Sequence, residues 1–385
     1  MEKTFVTGIE IKKVRHLHDI TIPLSSETRK HLILTGVNGS GKTSVLNALE
    51  AYLGALVPPS SVAGQLKLLE KTIDGQQDDF GTGIVAQFSS AETLAIKYEA
   101  GQFILAQYAA NRISSVQISK NIEHVDLALS YPISANAGAY LVKYLVNLKT
   151  TQAFAQQKGD RQRAAEIEAW FQRFQEILRN IFDDPALKLD FDIETFAFHI
   201  LQTGHEPFDF NQMSSGYAAI FAIINDLLIR MEAQKRYDLE GIVLIDEIDA
   251  HLHLELQKKI LPILTNLFPN LQFIVTTHSP FILSSLENSV VFDLENRRIV
   301  ENGLAKLPYE GIVEGYFGAD RMSNEVAKRF YRYQELTAKE SLTDEDYAEI
   351  DRLEVYLDEV PDFLAQEMSA EYHRLKLEFS NRSVG

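Results

Sequence analysis

The stretch "HLILTGVNGSGKTSVLNALEAYL", residues 31–53, restricts the possible folds more than any other part of the chain. An apolar run leads into Gly36–Thr43, which has the pattern G-x-x-x-x-G-K-T, and a helix-patterned run follows. Strand, glycine-rich turn and helix in this order make a phosphate-binding loop. Glycines let consecutive backbone amides turn inward at a helix N-terminus, where the dipole favours an anion. The candidate ATP-binding residues of the loop are therefore Gly36, Asn38, Gly39, Ser40, Gly41, Lys42, Thr43 and Ser44. Lys42 is placed to reach the terminal phosphates and the Thr43 hydroxyl to ligate Mg2+.

"GIVLID" (241–246), "LELQKKILPILTNLF" (254–268) and "LQFIVTTH" (271–278) read as strand, helix and strand. That order predicts a parallel pair joined by a crossover. Asp246 and Glu247 end the first strand. Side chains alternate along a strand, but where the chain turns both acids can serve one site. Asp246 is then the metal holder, and Glu247 the group that orients and deprotonates water. His278 ends the second strand, at the edge where ligands of parallel sheets sit, and can donate to a terminal phosphate. His251 and His253 form an H-x-H pair that can chelate zinc, but no third ligand has the right spacing.

Residues 4–12 and 19–24 are expected as strands, and the runs near 83–88, 93–99 and 102–108 as an antiparallel meander. "PPSS" (58–61) breaks the chain. Residues 120–182 are mostly helix-patterned, most clearly 163–182, where Ile167, Trp170, Phe171, Phe174, Ile177, Leu178 and Ile181 form one stripe. In "NQMSSGYAAIFAII" (211–224), Ser214 or Ser215 makes an ordinary N-cap. The tail, roughly 310–379, is acidic and helical. Tyr347, Ile350, Leu353 and Leu357 give one helix an apolar face. A second helix, opened by Pro361, carries Leu364, Met368, Tyr372 and Leu375 on one side. Such a pair suits either packing on its own core or docking to a partner, with its stripes partly exposed in the free protein.

The net charge of −17 excludes a surface coated uniformly for nucleic acid. Residues 338–385 hold 13 acids against 5 bases, so a local basic groove remains possible elsewhere. The absence of cysteine removes disulfides and thiolate metal sites, and no apolar run is long enough to span a membrane. A cytoplasmic location is expected.

Gly36–Thr43, "MSSG" (213–216), Asp246–Glu247 and His278 stand in one order. Over about residues 4–290 this resembles the ABC-type ATPase superfamily, in the branch of SMC, RecF and OLD-like proteins. The resemblance implies an α/β fold: an ABC-type P-loop ATPase core with an antiparallel β lobe, a helical lobe and a helical C-terminal tail. The corresponding division is 1–110 (lobe I), 111–212 (helical insertion lobe), 213–300 (lobe II) and 301–385 (tail). Glu247 and His278 take the catalytic roles. Ser214 and Gly216 belong to the signature, which one subunit presents to its neighbour's ATP in a dimer. Met213 stands at the usual leucine position and Tyr217 replaces the usual Glu or Gln. "DAHLH" (249–253) falls at the D-loop, a dimer contact. The metal-facing glutamine loop fits Gln107 or the turn Asn111–Arg112.

The roughly 170 residues between phosphate loop and signature are too few for the long coiled-coil members. No Toprim-like constellation of acids follows His278, as the OLD-like nucleases require. "YEGIVEGYFGADRMSNEVAKRF" (309–330) and the helices after it resemble the ATPases encoded beside HNH nucleases in phage defence, the Septu ATPases also found with some retrons. The expectation is an ATP- and Mg2+-dependent switch, a homodimer or higher homo-oligomer, that controls a separate HNH-type nuclease. A reverse transcriptase with its non-coding RNA is a further partner, nucleic acid is reached through the complex, and no membrane is involved. Two other classes stay open: a DNA-repair or chromosome-associated clamp with no effector enzyme, and the nucleotide-binding subunit of a transporter. "THSP" (277–280) and the lack of a membrane-docking element count against the last.

Overall fold

β3 (His31–Thr35), the strand before the glycine turn, is buried at all its positions. Such a strand needs neighbours on both sides and cover on both faces. In the computed structural model, which describes residues 3–57, 80–112, 123–305, 324–339, 341–358 and 366–383, it has them. β3 lies between β9 (Leu271–Thr276) and β10 (Ser289–Asp293), parallel to both. β8 (Glu240–Ile245) pairs with β9, and β5 (Phe103–Tyr108) with β8, again in parallel. β11 (Arg298–Glu301) closes the far edge antiparallel to β10, giving the order β11-β10-β3-β9-β8-β5. The C-terminal ends of β3, β5, β8 and β9 therefore share one edge of the sheet, where α/β folds bind ligands.

A second sheet, antiparallel in the order β2-β1-β4, is made by β1 (Val6–Val14), β2 (Leu17–Pro23) and β4 (Ile84–Phe88). Helix α1 (Lys42–Leu56) buries Val45, Leu46, Leu49, Tyr52 and Leu53 in a core shared with β1, β2, β3, β4 and β5. The expected meander is not formed. Residues 94–99 are a short helix, α2 (Leu94–Glu99), with Leu94, Lys97 and Tyr98 buried at spacings of three and four. That is helical periodicity, and over six residues it is easily read as alternation. β4 joins β1, while β5 crosses into the parallel sheet.

The insertion holds α3 (Leu141–Gln157) and α4 (Arg161–Phe182), the latter capped by the Asp160 side chain, which accepts from the Arg163 amide. The apolar stripe of α4 is core as its spacing predicts, except that Trp170 is only half-buried. The segment is less helical than expected. Residues 123–136 contain no helix, and a hairpin of β6 (Lys188–Phe191) and β7 (Phe198–Leu201) follows α4. Next come α5 (Ser215–Glu232), α6 (Leu254–Leu267) as the crossover between β8 and β9, and α7 (Pro280–Leu283), capped by Ser279.

Met1–Lys306 and Leu307–Gly385 are separate compact units. In the second, α8 (Asn324–Thr337), α9 (Asp344–Asp358) and α10 (Gln366–Ser383) build their own core from Phe330, Tyr333, Leu336, Ile350, Leu353, Leu357 and Tyr372. Ile350, Leu353, Leu357 and Tyr372 are covered, with α8 as the third wall that a two-helix reading lacks. Leu375 is half-buried and Tyr347 is 46% exposed, so those two members of the stripes remain partly open. "PPSS", most of 309–330, Pro361, Leu364 and the Met368 side chain lie outside the described residues.

Candidate nucleotide site

The phosphate loop joins β3 to α1 by means of glycine. Gly36, Gly39 and Gly41 have φ of 138°, 85° and 98°, the left-handed region that costs other residues energy. At Gly41, which caps α1, a Cβ would also lie 2.8 Å from Leu17 Cδ1. Around Gly39 it would meet nothing within 4 Å, so the loop leaves open space there. Lys42 is buried, and its Nζ donates to Gly36 O at 2.9 Å and Val37 O at 3.0 Å. Burial pulls the ammonium below its ordinary range, while Glu247, Asp246, Asp249 and Asp293 pull it back up. The phosphate-loop lysine thus sits in the field of four carboxylates.

Asp246 follows β8 directly, and its Oδ1 accepts from Thr276 Oγ1 at 2.6 Å and from Thr43 Oγ1 at 3.3 Å. The hydroxyl and carboxylate expected to share Mg2+ are therefore already neighbours, and the residues fit that ion. Glu247 has a φ of 43°. This left-handed turn is how the second acid of the pair leaves the strand direction. Its amide donates to Thr276 Oγ1 at 2.7 Å, and its carbonyl accepts from Arg112 Nη2 at 3.0 Å.

His278 is half-buried just beyond β9. Burial lowers its pKa, Lys42 lowers it further, and Asp249 and Glu247 oppose the shift. The imidazole is thus neutral at pH 7, within reach of the charges of the phosphate loop and acidic turn. Asp249 in turn accepts from the Thr277 hydroxyl. Gln107 lies within β5 rather than in a loop after it, at the register of Leu244, and its amide donates to Ile133 O at 2.9 Å.

Ser214 occupies the N-cap position of α5, but its side chain makes no capping bond, unlike the expected ordinary cap. Ser214 and Ser215 are exposed, whereas Gly216 is buried. A Cβ at Gly216 would sit 3.1 Å from His251 O and 3.3 Å from Leu256 Cδ1, so a side chain there would press residues 251 and 256 back by a few tenths of an ångström. Tyr217 stacks on Phe182 with centroids 4.5 Å apart, which accounts for an aromatic where the resemblance has Glu or Gln.

Two residues of the site were not legible as such. Thr276 sits in "TTH", where the histidine takes the attention. Arg112, weighed only for the glutamine loop, is buried with its guanidinium on the carbonyls of Ala109, Asp246, Glu247 and Ile248. Burial lowers its pKa to about 10, with Asp249, Asp246 and Glu247 opposing. A buried cation spent entirely on backbone oxygens braces the turn that presents both acids.

Residues 32–284 match the protein family described as "AAA domain, putative AbiEii toxin, Type IV TA system". The chain belongs to this AAA-domain family. The matched span runs from β3 through α7 and so includes every candidate site residue. A Septu protein PtuA of Bacillus mycoides (strain KBAB4) is 26% identical over 378 residues, covering 92% of this chain and 50% of the relative. A Retron Ec83 probable ATPase of Escherichia coli is 42% identical over 90 residues, covering 22% of this chain and 17% of the relative. The chain thus spans half the length, or less, of these two relatives. Among solved structures, an Smc head bound to the C-terminal winged-helix domain of ScpA aligns with a TM-score of 0.41 and 14% identity, covering 75% of this chain and 94% of that one. Among the described residues, no helix is long and apolar enough to cross a membrane.

Proposed function

We propose that the chain is an ATP-hydrolysing switch subunit that dimerises around ATP and controls a separate effector nuclease. The observation that carries the ATPase part is Asp246, held between the hydroxyls of Thr43 and Thr276, with Glu247 turned toward the same edge as Lys42. The amides at the start of α1 bind phosphate oxygens, and Lys42 exchanges two loop carbonyls for the terminal phosphates. Bound Mg2+, held by Thr43 and Asp246 with Gln107 as a further candidate, supplies charge neutralisation at the phosphates. Glu247 holds the attacking water and takes its proton. His278, neutral at pH 7, donates a ring N–H to the terminal phosphate.

The free amides at the start of α5 support a trans role for Ser214 and Gly216. An anion presented by a second copy would satisfy them. The names of the Septu and retron relatives support a defence setting. The proposed effector is an HNH-type nuclease, with a reverse transcriptase and its RNA as a further partner.

The test is Glu247→Gln, assayed for MgATP binding, hydrolysis and oligomeric state. Binding should persist, hydrolysis should fall by about 10²-fold or more, and the ATP-bound dimer should accumulate. Normal turnover would remove Glu247 from the mechanism.

A further inference from the structure

A cavity of about 200 Å³ lies in the insertion, away from the phosphate loop, between α3, α4 and the end of α5. Its floor is Glu232, the last residue of α5, 6% exposed. The carboxylate accepts from Tyr144 Oη at 2.5 Å, from Trp170 Nε1 at 2.8 Å and from the Tyr237 hydroxyl. All three donors are neutral. Its charge is therefore uncompensated by any ion pair among the described residues, and about one of a carboxylate's four acceptor positions remains open. The C-terminal end of a helix is also where the dipole least favours an anion. A carboxylate in that position gains from one more N–H donor.

The walls and rim narrow the choice of donor. Trp170 presents an aromatic wall, stacked on Phe174 at 5.4 Å and met edge-on by Phe171 at 5.3 Å and Tyr144 at 5.9 Å, and Leu148 and Ile167 continue the apolar lining. The rim carries Arg163, which pairs with Glu166 at 3.2 Å and would have to share its guanidinium, together with Arg173 and Lys235. Arg173 lies over the Tyr237 ring at 4.7 Å, so its guanidinium is held in place without a carboxylate partner there. Three cations around one cleft stand out in a chain of net charge −17. The volume falls short of the roughly 300 Å³ at which drug-sized pockets begin, so it admits a ring system while an attached group stays at the mouth.

We propose that this cavity binds a nucleoside phosphate of the guanine type, with the ring against Trp170, a ring-edge N–H on Glu232, and the phosphate on Arg163, Arg173 and Lys235. Guanine fits because the N–H that takes the one open acceptor position is flanked by a second N–H, whose positive edge the carboxylate attracts rather than repels. Uracil sets its single N–H between two acceptors that the carboxylate repels. The site lies about 27 Å along α5 from Ser214, since the helix has 18 residues. The inference does not depend on the ATPase reading.

Trp170 is the only tryptophan of the chain, so its fluorescence reports this cavity directly. The experiment titrates full-length Lys42→Ala protein, whose phosphate loop is disabled, with GMP, AMP, UMP and inorganic phosphate. GMP should give a saturable change, binding about tenfold or more tighter than UMP, and phosphate alone should give none. The double rim variant Arg163→Glu/Lys235→Glu, altered only at side chains that are half-buried or exposed, should weaken GMP about tenfold or more. Glu232→Gln should erase the preference for GMP over UMP. A 5′-phosphorylated guanine tetranucleotide distinguishes the source. Tighter binding than GMP identifies a strand end, and equal binding a free nucleotide. The proposal is overturned if no nucleotide saturates the signal in the folded protein, if phosphate alone reproduces it, or if the rim variant binds GMP as before.

Discussion

The hydroxyl of Thr276 donates to the Asp246 carboxylate at 2.6 Å, and the same oxygen accepts the amide of Glu247 at 2.7 Å. One hydroxyl of a fully buried residue on β9 thus fixes the side chain of one acid and the backbone of the next, both just beyond the end of β8. The two strands are adjacent in the sheet, so the bond is short-range in space although it joins residues about thirty apart.

Thr276→Val keeps the shape of the side chain and removes both bonds. Each buried polar group left unpaired costs about 1–3 kcal/mol. The variant should melt a few degrees lower and hydrolyse ATP at least about tenfold more slowly, with metal-free nucleotide binding unchanged. Thr276→Ser, which restores the oxygen, should recover most of the turnover. Full activity in the valine variant, measured by phosphate release, would show that the acids hold their positions without it.

Arg112 acts on the same turn from the other side. Arg112→Ala should remove the guanidinium from the carbonyls of Asp246, Glu247 and Ile248, of which Glu247 O keeps the Ala250 amide, and loosen the left-handed backbone at Glu247. The expected result is a fall in kcat of about 10²-fold with ATP affinity within about threefold, because the phosphate loop is untouched. Arg112→Lys should restore only part of the rate, since one ammonium cannot span carbonyls on two sides. An equal loss of affinity and rate would mean a general collapse of the site.

The core of this site was legible because its residues are tied to local patterns. A strand, three glycines and Lys42 announce themselves within twelve residues, and Asp246, Glu247 and His278 end obvious buried strands. What stayed hidden depends on pairing between distant segments. β5 reads like a meander strand until β8 is beside it, and residues 94–99 are too few to separate a helix from a strand by period. Arg112 has no local signal, because its partners are carbonyls 134–136 residues away. Gly216 looked like a motif letter, and only the approach of His251 O shows what a side chain would press against.

Ser214→Arg should block hydrolysis without lowering the ATP affinity of the isolated subunit, since Ser214 is exposed and, in the trans arrangement, serves the neighbour's nucleotide rather than its own. Mixed with Lys42→Ala, it should regain up to one site's activity per heterodimer, about half that of the unaltered dimer, because one composite site then has both elements intact. The assay is ATP turnover against mixing ratio. A flat line at zero for every ratio would count against trans assembly.

His31 makes the first unit acid-sensitive. Burial, with Arg29 and Lys30 adding to it, lowers the imidazole from 6.5 to about 3, and its Nδ1 accepts the Phe273 amide at 3.0 Å, a role for the neutral ring. The folded pKa is depressed, so below about 6.5 the unfolded chain binds one proton more and stability falls as pH drops. The slope from this group is about 1.4 kcal/mol per pH unit until pH nears 3. Urea unfolding at pH 7, 6 and 5 should show a shallower loss in His31→Asn, whose amide oxygen accepts the same N–H without titrating. Parallel slopes for the two proteins would remove His31 as the cause.

The tail can be removed cleanly at one place and not at another. Cutting after residue 337 leaves α8 without α9 and α10, exposing Phe330, Tyr333 and Leu336, which should make that truncation aggregate. Cutting after residue 306 removes the whole second unit and strips no side chain of that core. The chain 1–306 should therefore stay soluble and hydrolyse ATP at a rate within about threefold of the full protein, since every residue assigned to turnover lies before 279. If the tail recruits the effector, pull-down of tagged 1–306 from its own host with ATP present should lose the nuclease that the full chain retains. An insoluble 1–306 would show that the first unit needs the second to fold. A soluble 1–306 that still captures the nuclease would move the docking surface onto the ATPase unit.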